Sequence, residues 1–273
     1  MLAGGLYGLG VLVLRRRGID WSSKRTLGFF VLGLGSFAFI TFGFLGVYSQ
    51  ELRWAFTTRI ALLLFAVPGL LSLGAPIALA RTAVTGTPLK VMDAVLQSWP
   101  VRLFGNAVFA PVFALAAFTV FLTPIAGSLR ESTLAGGILT IAVPVVGLLM
   151  VLPIVEHTTQ RTSFFITVEF MLVFVELVLD AIPAIVMRLS GSVFDKVGPV
   201  VGSLPSWFPN ALHDQHLAGD FLWFIAEVAD VPVLILMFMR WSKVDRSEAK
   251  SLDDLSDEEM EALTREHLRQ RPH

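Results

Sequence analysis

Seven long apolar runs, separated by short stretches that hold most of the charges and turn-forming residues, limit what this chain can fold into. They occupy residues 2–14, 27–48, 60–80, 103–125, 134–155, 164–187 and 217–239. A helix rises about 1.5 Å per residue, so a run of about 20 residues covers the roughly 30 Å hydrocarbon core of a bilayer. Pro68, Pro76, Pro111, Pro144, Pro153, Pro183 and Pro232 lie in or near the runs. That placement fits helices in lipid, whose neighbours can satisfy the carbonyls a proline frees. The expected architecture is all-α: an integral membrane bundle of seven transmembrane helices over residues 1–239, then a short charged cytoplasmic tail over 240–273.

Composition supports this reading and removes rivals. Charged residues are 16% of the chain, against about 25% for an ordinary soluble domain. Cysteine is absent, which excludes disulfides, thiolate zinc sites and iron–sulfur clusters. Any metal must be held by His, Met or carboxylate. No Gly-rich phosphate loop, nucleophile elbow or metalloprotease helix is present, so no enzyme is expected. No basic stripe interleaved with aromatics marks a nucleic-acid partner. The first run is short, and Arg15, Arg16 and Arg17 follow it rather than precede it. That is the reverse of a secretory signal, and a retained helix is expected.

Orientation follows from Lys and Arg in the connections. With the amino terminus outside, the inner connections and tail hold thirteen: Arg15, Arg16, Arg17, Lys24, Arg25, Arg81, Lys90, Arg102, Arg161, Arg240, Lys243, Arg246 and Lys250. The outer connections hold five: Arg53, Arg59, Arg130, Arg188 and Lys196. The carboxyl terminus is therefore expected in the cytoplasm of a plasma-membrane protein. Thr87-Pro88 opens a segment in which Met92, Val95, Leu96 and Trp99 recur at helical spacing, the pattern of an interfacial helix. The loop over 189–212 is expected to lie over the outer mouth, with Trp207 at headgroup level.

Ionisable groups inside a bilayer cost about 2.5–3.5 kcal/mol each on insertion scales, so they draw attention first. The sixth run holds Glu169, Glu176 and Asp180 on one face, and the seventh holds Asp220, Glu227 and Asp230. Glu176, Asp180, Asp220, Glu227 and Asp230 could line a polar path for a cation or proton, or could pair as hydrogen-bonded acids that fix packing. Just before the seventh run stands His213-Asp214-Gln215-His216. Two imidazoles three residues apart share one side of a helical turn, with Asp214 beside them, a pattern able to bind copper or zinc. Met187 is the nearest soft ligand on this topology.

The run His213-Asp214-Gln215-His216-Leu217-Ala218-Gly219-Asp220-Phe221-Leu222-Trp223 resembles the signature that opens the last helix of the CtaG-type cytochrome c oxidase assembly factors, with Asp214, Gln215, Leu217, Gly219 and Trp223 at matching positions. Trp241 and Asp245-Arg246-Ser247-Glu248-Ala249 resemble actinobacterial members. The stretch Arg15 to Arg25 and the run Pro68-Gly69-Leu70-Leu71-Ser72-Leu73-Gly74-Ala75-Pro76 are similar to the family's inner loop and third span. The resemblance implies a multi-span protein that helps assemble a haem–copper oxidase, partnered by an oxidase subunit and the lipid bilayer, and implies copper handling. Members carry histidine pairs on the third and fifth spans. Here the third-span positions are Phe56 and Ile60, and the fifth run, 134–155, has no histidine. Copper presented at the outer face would then fall to His213, His216 and Asp214. A cation transporter and a metal-free membrane scaffold are the alternatives.

Overall fold

The computed structural model describes residues 2–104, 106, 108–156, 163–197 and 207–253, and all regular structure among them is helical. In chain order the helices are α1 (Leu2–Arg16), α2 (Ser23–Val47), α3 (Arg53–Ser72), α4 (Pro76–Ala83), α5 (Thr87–Leu96), α6 (Trp99–Phe104), α7 (Phe109–Thr119), α8 (Pro124–Glu131), α9 (Thr133–Glu156), α10 (Ser163–Leu189) and α11 (Ala211–Asp253). Among the described residues, three segments are long and apolar enough to cross a membrane: α2, α3 and the stretch Thr133–Val151 of α9. A fourth exists if Val112–Leu122 and Pro124–Glu131, bent by 84° at their junction, form one broken span. The chain is thus a helical membrane protein.

Local chemistry explains where helices start and stop. Asn106 Oδ1 accepts from the backbone N–H of Val108 at 2.9 Å and of Phe109 at 3.1 Å, which places the start of α7 at Phe109 rather than at 103. The fourth run does not continue to 125 as one helix: Thr123 is extended, and Pro124 opens α8. The third run is shifted. Expected over 60–80, its helix begins at Arg53, ends at Ser72, turns through Ala75 at φ 47°, and restarts at Pro76. Proline has a fixed φ and no N–H, so it suits a first helical turn and here separates α4 from α3. The shift of about two turns moves Arg59 out of a connection and into α3, where it is 7% exposed. The segment expected to be interfacial is helical, as α5.

Helix α3 sits at the centre, packed on α2, α9 and α11. Phe56, Leu64, Phe118, Met187 and Leu222 meet in one apolar core, while Tyr7, Leu14, Phe29 and Leu79 form a second between α1, α2 and α4. Helices α10 and α11 pack closely because Gly219 lacks a side chain: a Cβ there would lie 2.5 Å from the Ala184 carbonyl oxygen. Along α9 the opposite condition holds. Leu134, Ile138, Ile141 and Val145 are 50–76% exposed in a stripe at helical spacing. Burying one such side chain fully is worth about 1.5–3 kcal/mol, so an apolar stripe of this extent suits an apolar surround rather than water. Helix α11, at 43 residues, is about 64 Å long, twice the hydrocarbon thickness. It passes without a break through 239–240, where the tail was expected to begin.

Candidate functional site: a buried charge latch

The first turn of α3 needs outside help. Its N-cap residue is Leu52, which has no side-chain acceptor, so the leading N–H groups of the helix have no local partner. Asp214, at the start of α11, supplies one. Its Oδ2 accepts from the Arg53 N–H at 2.8 Å and its Oδ1 from the Trp54 N–H at 3.0 Å, across 160 residues of sequence. A carboxylate at a helix N-terminus also faces the positive end of the helix dipole. Asp214 is 2% exposed, and that burial raises its carboxyl pKa above the ordinary value; the two N–H groups and the guanidinium groups of Arg53 and Arg130 oppose the rise.

A second carboxylate ties the cluster together. Asp195 Oδ1 accepts from Arg53 Nη2 at 2.6 Å and from Arg53 Nε at 2.9 Å, while its Oδ2 accepts from Arg130 Nη2 at 3.1 Å. Arg130 also donates to the Gln50 carbonyl. Two guanidinium groups and two carboxylates are thus enclosed together, with side-chain exposures of 13% or less. Such charges are tolerated in a dry interior only when paired and hydrogen-bonded. Gln215 completes the latch from the neighbouring position on α11. Its Oε1 accepts from the Phe194 N–H at 2.8 Å and its Nε2 donates to the Ser192 carbonyl at 3.0 Å. His216 Nε2 lies 3.0 Å from the Ser190 carbonyl. A carbonyl can only accept, so this nitrogen carries the proton. The segment 190–197 is therefore held by Gln215, His216 and, through Asp195, both arginines.

The expected site residues are dispersed by this arrangement. Asp214 faces α3, His216 faces Ser190, and His213 is exposed. Among the described residues, no three His, Asp or Glu side chains gather closely enough to hold a metal ion. Met187 lines a small cavity beneath the latch, with room for about one water. Arg53, Arg130, Asp195 and Gln215 line it too, and two guanidinium groups there disfavour a bound cation. At about 100° per residue, Asp220 and Glu227 lie roughly 120–140° round α11 from Asp214. Each has its own partner: Asp220 pairs with Arg188 Nε at 3.0 Å, and Glu227 accepts from Trp223 Nε1 at 2.7 Å. Glu176, Asp180 and Asp230 lie on α10 and α11, and their side chains, like that of Glu169, lie outside the described residues.

Sequence reasoning did not pick out Arg53, Arg130 and Asp195, because each sits in or beside a connection and looks like a solvated charge. The mismatch between Leu52 and the helix start that follows it was the available signal. Arg59 was missed through the misplaced boundary of the third span. It donates to Ser49 Oγ at 3.4 Å and to Thr140 Oγ1, joining the turn after α2 to α9. Around the latch, Trp54 stacks on Phe221 at 5.1 Å, while Phe44, Tyr48, Trp207 and Phe208 pack ring against ring beside it. Trp207 is 60% exposed.

Two curated relatives share this sequence at low identity: the uncharacterized proteins Mb0105 of Mycobacterium bovis and MT0111 of Mycobacterium tuberculosis, each 24% identical over 269 residues. The match covers 94% of this chain and 40% of each relative, so the chain spans about two fifths of their length. No solved structure matches. The family model described as cytochrome c oxidase caa3 assembly factor matches residues 5–244, which takes in most of α1, α2 to α10, the described latch and most of α11. By that match, the chain belongs to the cytochrome c oxidase caa3 assembly factor family.

Proposed function

We propose that this chain promotes assembly of a haem–copper oxidase as a non-catalytic membrane scaffold, with the latch end facing outside and residues 190–197 and 207–216 offered to an oxidase subunit. In this reading the chain crosses the plasma membrane seven times, α10 and α11 included, and its carboxyl terminus is cytoplasmic. One observation carries it: Asp214 and Gln215, the family-like pair, are buried and engaged in shaping the latch, so their chemistry serves the form of this surface. A surface already held in shape by such bonds loses less conformational freedom when a partner docks on it.

Copper presentation by His213 and His216 is the rival reading, favoured by the exposure of His213 beside a second imidazole. Cells lacking the gene, complemented with variants, separate the two. The scaffold reading expects Gln215→Ala to lower the haem and copper content of the oxidase, and His213→Ala, whose exposed imidazole lies outside the latch, to leave both near wild type. The opposite pattern, with copper found on purified wild-type protein and lost from His213→Ala, would favour metal delivery. A cation path along Glu176 and Glu227 predicts instead a liposome flux that Glu176→Gln abolishes.

A further inference from the structure

The end of the bundle opposite the latch carries an unused surface. Helix α2 leaves it at Ser23 and α3 returns to it at Ser72, where Gly74 accepts a hydrogen bond from Tyr7 at 2.8 Å. Segments 15–25 and 81–102 meet here. Arg17 donates to the Thr82 carbonyl at 3.4 Å, and Arg81 pairs with Asp93 at 3.6 Å, which draws α5 against the end of α4. The guanidinium of Arg25 lies 5.2 Å from the Trp21 ring, whose Nε1 donates to Tyr7. Together these segments hold eight cations (Arg15, Arg16, Arg17, Lys24, Arg25, Arg81, Lys90 and Arg102) against two acids, Asp20 and Asp93. All eight cations are exposed.

An apolar strip runs beside this charge. On α5 and the start of α6, Val91, Val95 and Trp99 are 58%, 56% and 70% exposed, at i, i+4 and i+8, while Met92 and Leu96 are half-buried. Lys24 and Arg25 stand in the first turn of α2, and the Arg17–Thr82 and Arg81–Asp93 contacts tie the end of α1 to α4 and α5 at this end of the bundle. Helix α2, at 25 residues, is about 37 Å long and covers the hydrocarbon core, so its Ser23 end falls among headgroups. A soluble acidic partner would need these side chains clear of the bilayer. A lipid headgroup meets them where they are.

We propose that this surface binds anionic phospholipid, with the cations on headgroup phosphates and the Val91–Val95–Trp99 strip in the acyl boundary. Juxtamembrane cations attract anionic lipids individually by about 1 kcal/mol, within a Debye length. An exposed guanidinium group can take a phosphate oxygen pair. The proposal stands apart from oxidase assembly and does not depend on it.

The test uses the full chain in bilayer nanodiscs, with spin-labelled phosphatidylglycerol or phosphatidylcholine added as probe. The expected result is a several-fold preference of the protein-bound lipid shell for phosphatidylglycerol, lost in 0.5 M salt (roughly a 4–5 Å screening length) and lost in Arg15→Gln/Arg16→Gln/Arg17→Gln/Lys90→Gln. Arg188→Gln, at the latch end, should keep the preference. Equal retention of the two lipids by wild type, or a preference unchanged by salt, overturns the proposal without any variant. Displacement of the bound lipid by inorganic phosphate at matched ionic strength also overturns it, because the patch would then be a site for free phosphate.

Discussion

Arginines crowd both ends of this bundle, and the two ends use them differently. At the latch, Arg53 and Arg130 are buried against Asp195 and Asp214, and their hydrogen bonds run to named acceptors within the chain. At the opposite end, Arg15, Arg16 and Arg17 are exposed, and even Arg17, which donates to the Thr82 carbonyl, keeps its charge open to its surroundings. The comparison shows that residue type does not fix role. A guanidinium enclosed with a carboxylate holds shape, because freeing it leaves a charge in a dry place. An exposed one reads the environment.

Breaking the latch should give the largest effect. Asp195→Ala leaves two buried guanidinium groups without their shared carboxylate, and removal of one partner of a buried pair costs about 3–5 kcal/mol. Thermal unfolding in detergent should show a large fall in midpoint; a midpoint near wild type would mean that Asp195 is solvated and the latch is not closed. Gly219→Ala comes next. Its new methyl group must displace the Ala184 carbonyl, an overpacking that costs about 1–3 kcal/mol, and α10 should separate from α11, measurable as a longer distance between spin labels on the two helices.

Smaller effects sharpen the contrast between enclosed and open charge. The Arg188–Asp220 pair has the geometry of a good ion pair at 3.0 Å, but its side chains are 51% and 48% exposed. Asp220→Asn should therefore cost no more than about 1 kcal/mol, and a fall as large as that of Asp195→Ala would mean that enclosed and open charges hold the fold alike. Titration gives the smallest signal. A carboxyl whose pKa is raised in the folded state adds stability that is full below the ordinary carboxylate range and is lost as pH rises through the raised value. Wild type should show this slope in its stability, and Asp214→Asn should lack it; identical pH profiles would place the raised group elsewhere.

Much of the fold is readable from apolar runs because the bilayer imposes one length and one backbone solution on every crossing. The helices of α1 and α5 follow that reading closely, down to Thr87-Pro88 as the start of α5. The third and fourth runs were misplaced because hydropathy does not register a turn. Leu73 and Ala75 are as apolar as the helix before them, yet the chain turns there and restarts at Pro76. The site was legible only in part. Asp214 and Gln215 stand out as a family-like pair beside two histidines, and the natural reading gives them a metal. Their actual partners, Trp54, Phe194 and Ser192, contribute backbone groups, which carry no signature in side-chain identity.

What the sequence determined by itself is the environment and the class of structure: apolar runs of this length require lipid, and lipid requires helices. What only the tertiary structure decided is which charges are spent and which are free. Arg53 and Arg130 look no different in the sequence from Arg16 or Arg188, because a charge's partner is set by distance through space. Asp195 lies 142 residues from one of its arginines and 65 from the other, and only the packing of α3, α8 and α11 brings them within hydrogen-bonding reach.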